Sequence, residues 1–143
     1  MIKSALLALL PVLAAACGTT SDAAPATKSA VAPDDHAVCV QVFQKQRTCT
    51  DQFIPALVDT RAKYDNPPGI AAKVKADRAG VIAEAKAEWA SDSTDPAIDQ
   101  TCTKLLQTVD HDMVATAQGC LAKVACDAFV TCITPVFEKH IRK

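Results

Sequence analysis

The chain has 143 residues, half of them apolar, and its 15 basic and 16 acidic side chains leave a net charge of −1. A chain of this length is expected to hold one modest folded domain. Because the charges nearly balance and no block of Lys or Arg occurs, the composition argues against nucleic acid or an anionic membrane surface as a partner.

The first predicted element is an apolar leader. Lys3 supplies a positive charge near the start, and residues 5–16 form an apolar run about as long as the core of a signal peptide. A transmembrane helix needs roughly 20 apolar residues, so this run is too short to span a bilayer. We therefore expect residues 1–16 to be a cleaved export signal.

The leader ends at Cys17, which follows Leu-Ala-Ala-Ala at 13–16 and precedes Gly18. This run resembles the lipobox of bacterial lipoproteins, although Ala14 stands where Leu is more common. The resemblance implies lipidation (palmitate) of Cys17 and a lasting anchor through two or three acyl chains. Gly18 is not the aspartate that retains many lipoproteins in the inner membrane, which implies the outer membrane. The alternative is an ordinary A-x-A cleavage site with Cys17 unmodified.

Residues 17–35 are predicted to form the lipidated cysteine and a flexible tether. Positions 18–35 contain no aromatic residue and no leucine, so they bury too little surface to offset the entropy lost on ordering. Residues 36–143 hold every aromatic side chain, thirteen basic and thirteen acidic residues, and six cysteines. Lipid attachment at Cys17 would leave those six as an even set that can pair fully.

The domain at 36–143 is predicted to be all-α, a small disulfide-stapled bundle of about five to six helices. The whole chain has four glycines, and its apolar residues show no sustained alternation of the kind that marks strands. Asp34 or Asp35 is expected to cap the first helix, and Pro55 to bend or restart the chain. The first three expected helices are 36–50, a segment that begins at Pro55 and ends at the stop at 66–69, and 70–90. The last three are 96–106, which follows Asp95, a helix from 110 or 111 to about 119–123, and a helix that begins at 126–127.

Apolar stripes at helical spacing predict the core. The first helix contributes Val38, Val42 and Cys49. The third contributes Ile70, Val74, Val81, Ala85 and Trp89, spaced three to four residues apart except for one longer step. The last helix should present Phe129, Ile133, Val136, Phe137 and Ile141, with a kink at Pro135. The alanine-rich composition favours close helix packing over a wide pocket.

The six cysteines of the domain are predicted to form three disulfide bonds. Zinc sites and thioredoxin-like sites normally use a C-x2-C pair, and none occurs here, so we expect no metal and no cofactor. An exported chain also matures where paired thiols are the default. The residues concerned are Cys39, Cys49, Cys102, Cys120, Cys126 and Cys132.

Six cysteines allow fifteen pairings, and helical geometry ranks them. A hairpin of the fourth and fifth helices would pair Cys102 with Cys120. A last helix antiparallel to the first would pair Cys39 with Cys132 and Cys49 with Cys126. Cys126 and Cys132 lie about 120° apart around an ideal helix, so Cys126 is expected at the fraying start of its helix.

No catalytic residues are predicted. His111 between Asp110 and Asp112 could be a carboxylate-oriented imidazole, but acids at this position are also typical of a helix N-terminus. The serines of the mature chain lie in the predicted tether or a turn, without a nucleophile elbow. We therefore expect a protein that is not an enzyme. A hydrolase or redox enzyme would need a reactive His111 or a free thiol.

Two functions remain after this exclusion. The first is a structural or adaptor lipoprotein of the outer membrane that binds another envelope protein; the outline resembles that of pilotins, without a shared motif. The alternative is a carrier of a small apolar ligand or lipid. Insect odorant-binding proteins and plant lipid-transfer proteins are similar in size and cysteine number, but their cysteine spacings differ from those of this chain.

Overall fold

A computed structural model describes residues 33–142, and its regular secondary structure there is entirely helical. The predicted all-α class is therefore confirmed. The helices are α1 (Pro33–Thr48), α2 (Thr50–Lys63), α3 (Ile70–Asp92), α4 (Asp95–Leu105), α5 (His111–Leu121) and α6 (Cys126–Ile141).

Two expected helix starts differ from the observed ones. α1 begins at Pro33, so Asp34 and Asp35 lie inside its first turn and do not cap it. α2 begins at Thr50 and runs through Pro55, because the chain has already broken at Cys49. The carbonyl of Cys49 accepts hydrogen bonds from the amides of Gln52 (3.0 Å) and Phe53 (2.8 Å), which start the new helix. Pro55 removes one backbone donor close to this start and does not end the helix.

The turn between α2 and α3 lies at the predicted stop. Gly69 has φ +89°, in the left-handed region that favours glycine. Oδ1 of Asp65 accepts hydrogen bonds from the amides of Gly69 (2.9 Å) and Ala71 (3.0 Å). The amides of Ala71 and Gly69 hold the pKa of this carboxyl below its ordinary value. The side chain of Asp65 therefore organises the first turn of α3.

α3 contains a break that the sequence pattern did not predict. Asp77 has non-helical angles (φ −151°, ψ 80°), and its Oδ1 accepts a hydrogen bond from the amide of Gly80 at 2.8 Å. Asp77 thus caps the second half of α3 as an N-cap residue would. The break falls between Val74 and Val81, where the predicted apolar series takes its longest step.

The helices of the bundle pack in two groups, one around α1 and one around α2. α1 packs against α4 and α5, while α2 packs against α3 and α6, and α5 also contacts α6. The predicted stripes are buried on α1 and in the first part of α6, where Phe129 and Ile133 are fully enclosed. Phe53 joins α2 to its two partners, since its ring lies 5.2 Å from Trp89 and 5.3 Å from Phe137.

All six cysteines of the domain are bonded, and one predicted pair is confirmed. Cys49 is linked to Cys126, with the Cα atoms 5.3 Å apart. Cys126 is the first residue of α6, as expected from the geometry of its helix. This bond ties the α1–α2 junction to the start of α6.

The other two predicted pairs are wrong. Cys39 is linked to Cys102 and Cys120 to Cys132, not Cys102 to Cys120 or Cys39 to Cys132. α4 and α5 do not form the expected hairpin, because each packs against α1. α6 lies beside α2 and α5 and not along α1, so its two cysteines face different neighbours.

The predictions for the leader, for Cys17 and for most of the tether fall outside residues 33–142. Within that range no helix is long and apolar enough to cross a bilayer.

Candidate functional site: a cavity between the helices

A cavity of about 540 Å³ lies between the helices of the bundle. Small-molecule sites in proteins commonly measure 300–1,000 Å³. Every helix contributes to its wall, mainly with apolar side chains, among them Val42, Leu57, Ala85, Leu105, Val114 and Phe137.

Gln46 is the most unusual residue of the wall. Its side chain is 1% exposed, and neither Nε2 nor Oε1 has a hydrogen-bond partner. A buried polar group without a partner costs about 1–3 kcal/mol relative to a satisfied one. A buried amide with no partner on either atom is rare in native proteins and calls for a physical reason.

Trp89 supplies a second unpartnered group to the same cavity. Its indole Nε1 is buried without an acceptor. The Trp89 ring is held in place by Phe53 and by Phe43, whose centroid lies 6.1 Å away in a stacked arrangement. Phe43 precedes Gln46 by three residues on α1, about one helical turn, so the two polar groups belong to the same part of the cavity.

Other buried polar residues have partners. The hydroxyl of Thr60 donates to the carbonyl of Ala56 at 2.8 Å, and the carboxylate of Asp35 lies 2.9 Å from Nδ1 of His111. In the part of the chain that the structure describes, the unpartnered buried side-chain nitrogen and oxygen atoms belong to Gln46 and Trp89 alone. Both residues line the cavity, so all these unpartnered buried side-chain atoms belong to one site.

Charged side chains are distributed unevenly along the cavity. Glu88 and Asp92 line it next to Trp89, whereas Arg61 lines it farther along α2. Phe53, which contacts Trp89, and Arg61 are eight residues apart on α2, a rise of about 12 Å. Along α2, Trp89 and the acidic side chains therefore lie toward one end of the cavity wall and Arg61 toward the other.

Ion pairs hold α3 in place as one wall of the cavity. Lys86 bonds to Asp51 at 2.6 Å, and the guanidinium of Arg78 makes two hydrogen bonds to Asp59 at 2.7 and 2.8 Å. The Arg78 guanidinium lowers the pKa of Asp59, first through the hydrogen bond.

The end of α3 is held from α1. Arg47 donates to the carbonyl of Ser93 at 2.7 Å and pairs with Asp95 at 2.8 Å. The amide of Ser93 donates to the carbonyl of Trp89 at 2.9 Å, so these contacts hold the turn of α3 that carries Trp89 against α1.

Residues considered for chemistry in the sequence do not meet at this cavity as a reactive group. Asp110 caps α5, with Oδ1 accepting from the amide of Met113 at 2.8 Å, as the capping interpretation predicts. His111 pairs with Asp35 and not with its neighbours in the chain. Within residues 33–142 no group of three or more His, Cys, Asp or Glu side chains is placed to hold a metal ion.

Sequence reasoning missed Gln46, although a signal was present. Gln46 follows Val38 and Val42 at intervals of four residues, so it lies on the predicted apolar stripe of α1. A polar residue on a buried stripe either finds a partner or marks a site. The spacing alone could not decide between these, because the partner would have to come from another helix.

Comparison of the chain with family models, with curated proteins and with solved structures finds no match.

Proposed function

We propose that this protein binds a small, largely apolar ligand in the cavity between its helices. The observation that carries the proposal is Gln46, whose amide is buried and unpartnered on the wall of a cavity large enough for a small molecule. Binding that supplied partners to these atoms would remove the cost of leaving them unsatisfied. The carrier function thereby moves ahead of the adaptor function that the sequence favoured.

A fluorescent apolar probe tests the proposal. The unliganded protein should bind N-phenylnaphthylamine saturably, with one site per chain. Ala85 lines the cavity, so Ala85→Phe should fill the space and weaken binding at least tenfold. Ala87 is exposed on the same helix and is not part of the wall, so Ala87→Phe serves as the matched control. Equal binding by both variants would place the probe elsewhere and count against the proposal.

The proposed setting is the cell envelope, with Cys17 as the lipid anchor and the outer membrane as the location. Support comes from the resemblance of residues 13–17 to a lipobox and from the even number of cysteines that remain. Cys17→Ala should abolish the mass added by acylation and release the protein from the membrane fraction, with three disulfides intact. A Cys17→Ala protein that stays with the membrane would contradict this anchor.

The adaptor function is a second proposal, which the exposure of α3 favours. None of the 23 residues of α3 is buried, and after the break at Asp77 four exposed alanines recur at intervals of three or four: 79, 83, 87 and 90. Small side chains allow another helix to approach closely, as an envelope protein partner would require. Ala83→Arg should then reduce crosslinking to that partner without changing probe binding in the cavity. Unchanged crosslinking would exclude this face.

A further inference from the structure

The unpartnered atoms of Gln46 and Trp89 specify what a ligand must offer. The Gln46 amide presents two N–H donors and one carbonyl acceptor, and the Trp89 indole presents one N–H donor. A head group that satisfies both residues must accept hydrogen bonds from the N–H groups and donate one to Oε1 of Gln46. A pure acceptor or a pure donor leaves at least one buried atom without a partner.

The charged side chains that line the cavity further restrict which head groups a ligand can carry. Arg61 is the one cation among the described residues that line the cavity, and it lies about 12 Å along α2 from Phe53. Glu88 and Asp92 line the end that contains Trp89. A carboxylate or phosphate placed there would be buried near negative charges, with no cation on that part of the cavity wall, which costs far more than burying a neutral group. An ammonium could use the acidic rim, but it cannot accept from Nε1 of Trp89.

Resting on the proposed binding function, we infer that the ligand is a neutral amphiphile with a hydroxyl head group. The hydroxyl donates to the Gln46 carbonyl, and its oxygen, which has two lone pairs, accepts from both the Trp89 indole and the Gln46 amide. The apolar chain extends along α2 toward Arg61, between Leu57 and Phe137. This assignment names the ligand class as aliphatic alcohols, not fatty acids, alkanes or alkylamines.

Four probes with the same chain length separate these classes: decanol, decanoate, decane and decylamine. Trp89 is the single tryptophan of the protein, so its emission reports directly on the cavity. At pH 8, where decanoate is ionised, decanol should bind at least about tenfold more tightly than decanoate or decylamine. It should also shift the Trp89 emission to longer wavelength than decane does, because its oxygen accepts from the indole N–H. Tighter binding of decanoate or of decylamine would overturn the inference.

A variant identifies where the hydroxyl lies. Gln46→Met keeps a side chain of similar length but removes both polar atoms, so it should weaken decanol binding about tenfold and change decane binding less than about twofold. Gln44 is exposed on the same helix, and Gln44→Met should change neither. An equal effect of Gln46→Met on decanol and decane would show that Gln46 does not contact the head group.

The outcomes also separate this inference from the function on which it rests. If N-phenylnaphthylamine binds in the cavity but decanol shows no preference over the other three probes, the protein binds ligands and the hydroxyl assignment fails. If neither N-phenylnaphthylamine nor any decyl probe binds, the proposed function fails and the inference with it.

Discussion

The imidazole Nδ1 of His111 lies 2.9 Å from Oδ2 of Asp35, and this contact joins the start of α5 to the first turn of α1. The two residues are 76 positions apart in the chain. The hydrogen bond that the imidazole donates to Asp35, followed by the negative charge of Asp35, raises the pKa of His111 above its ordinary value near 6.5. Protonation of His111 is therefore coupled to the docking of these two helix ends.

Stability should depend on pH through this pair. A histidine whose pKa is higher in the folded than in the unfolded chain stabilises the fold below about pH 6.5, and the contribution is lost as the pH rises through the folded pKa. The unfolding free energy of wild type should exceed that of His111→Gln by more at pH 5.5 than at pH 8.5. Urea titrations at the two pH values measure this difference.

The Asp35→Asn background provides the control for the histidine. Without the Asp35 carboxylate, the effect of His111→Gln should differ much less between the two pH values, and the small remainder should come from the charge of Asp112. A difference as large as in the wild-type background would assign the pH dependence to another group.

Gln46→Met should stabilise the unliganded protein. The wild-type amide is buried without partners, and a thioether of similar length removes that penalty, so the free energy of unfolding should rise by about 1–2 kcal/mol. The exposed substitution Gln44→Met should change it by less than about 0.5 kcal/mol. Chemical denaturation in the absence of ligand makes the measurement. A loss of stability in Gln46→Met would mean that the amide has a partner in solution.

Substitution of alanine for two glycines should change the free energy of unfolding in opposite directions. Gly69→Ala places a Cβ in the left-handed conformation at φ +89°, which costs about 1–2 kcal/mol even though no neighbour obstructs it. Gly119 lies inside α5 with open space where a Cβ would be, so Gly119→Ala should stabilise by about 0.5–1 kcal/mol. Thermal unfolding of the two variants compares them directly. A stabilising Gly69→Ala would contradict the backbone assigned to the α2–α3 turn, and a destabilising Gly119→Ala would contradict the open space at that position of α5.

A tryptic digest without reduction should show the disulfide pairing. The observed bonds predict peptide 29–45 linked only to 87–104, and peptide 124–139 linked to both 48–61 and 105–123. The pairing expected from the sequence would instead join 87–104 to 105–123. Mass spectrometry separates the two patterns, and a species containing 87–104 with 105–123 would contradict the observed connectivity.

Helix existence and most boundaries could be predicted from the sequence because their causes are local. Pro67, Pro68 and Gly69 stop α2, and Asp110 caps α5; each acts within a few residues of itself. The break at Asp77 is also local, but it interrupts a segment whose composition favours helix throughout. The sequence feature that corresponds to this break is the seven-residue interval between the apolar residues Val74 and Val81.

Disulfide pairing could be predicted only in part because it depends on which helices are neighbours. Cys126 was placed correctly at the start of α6, and its bond to Cys49 follows from that position. Cys39 and Cys132 were misassigned because α6 was expected along α1, whereas it lies beside α2 and α5. The lack of hydrogen-bond partners at Gln46 could not be predicted from the sequence for the same reason, because it depends on which helices surround the residue.

The chain segments that the three disulfides close overlap in sequence, so a single proteolytic cut inside them does not separate the chain into two pieces. Any single peptide bond broken between Cys39 and Cys132 is spanned by at least one of them. Val124, the large hydrophobic residue exposed in the short α5–α6 connection, lies at a position spanned by two. A protease that cuts there would leave both fragments covalently attached, so one cut would not release either half of the domain until its cystines were reduced.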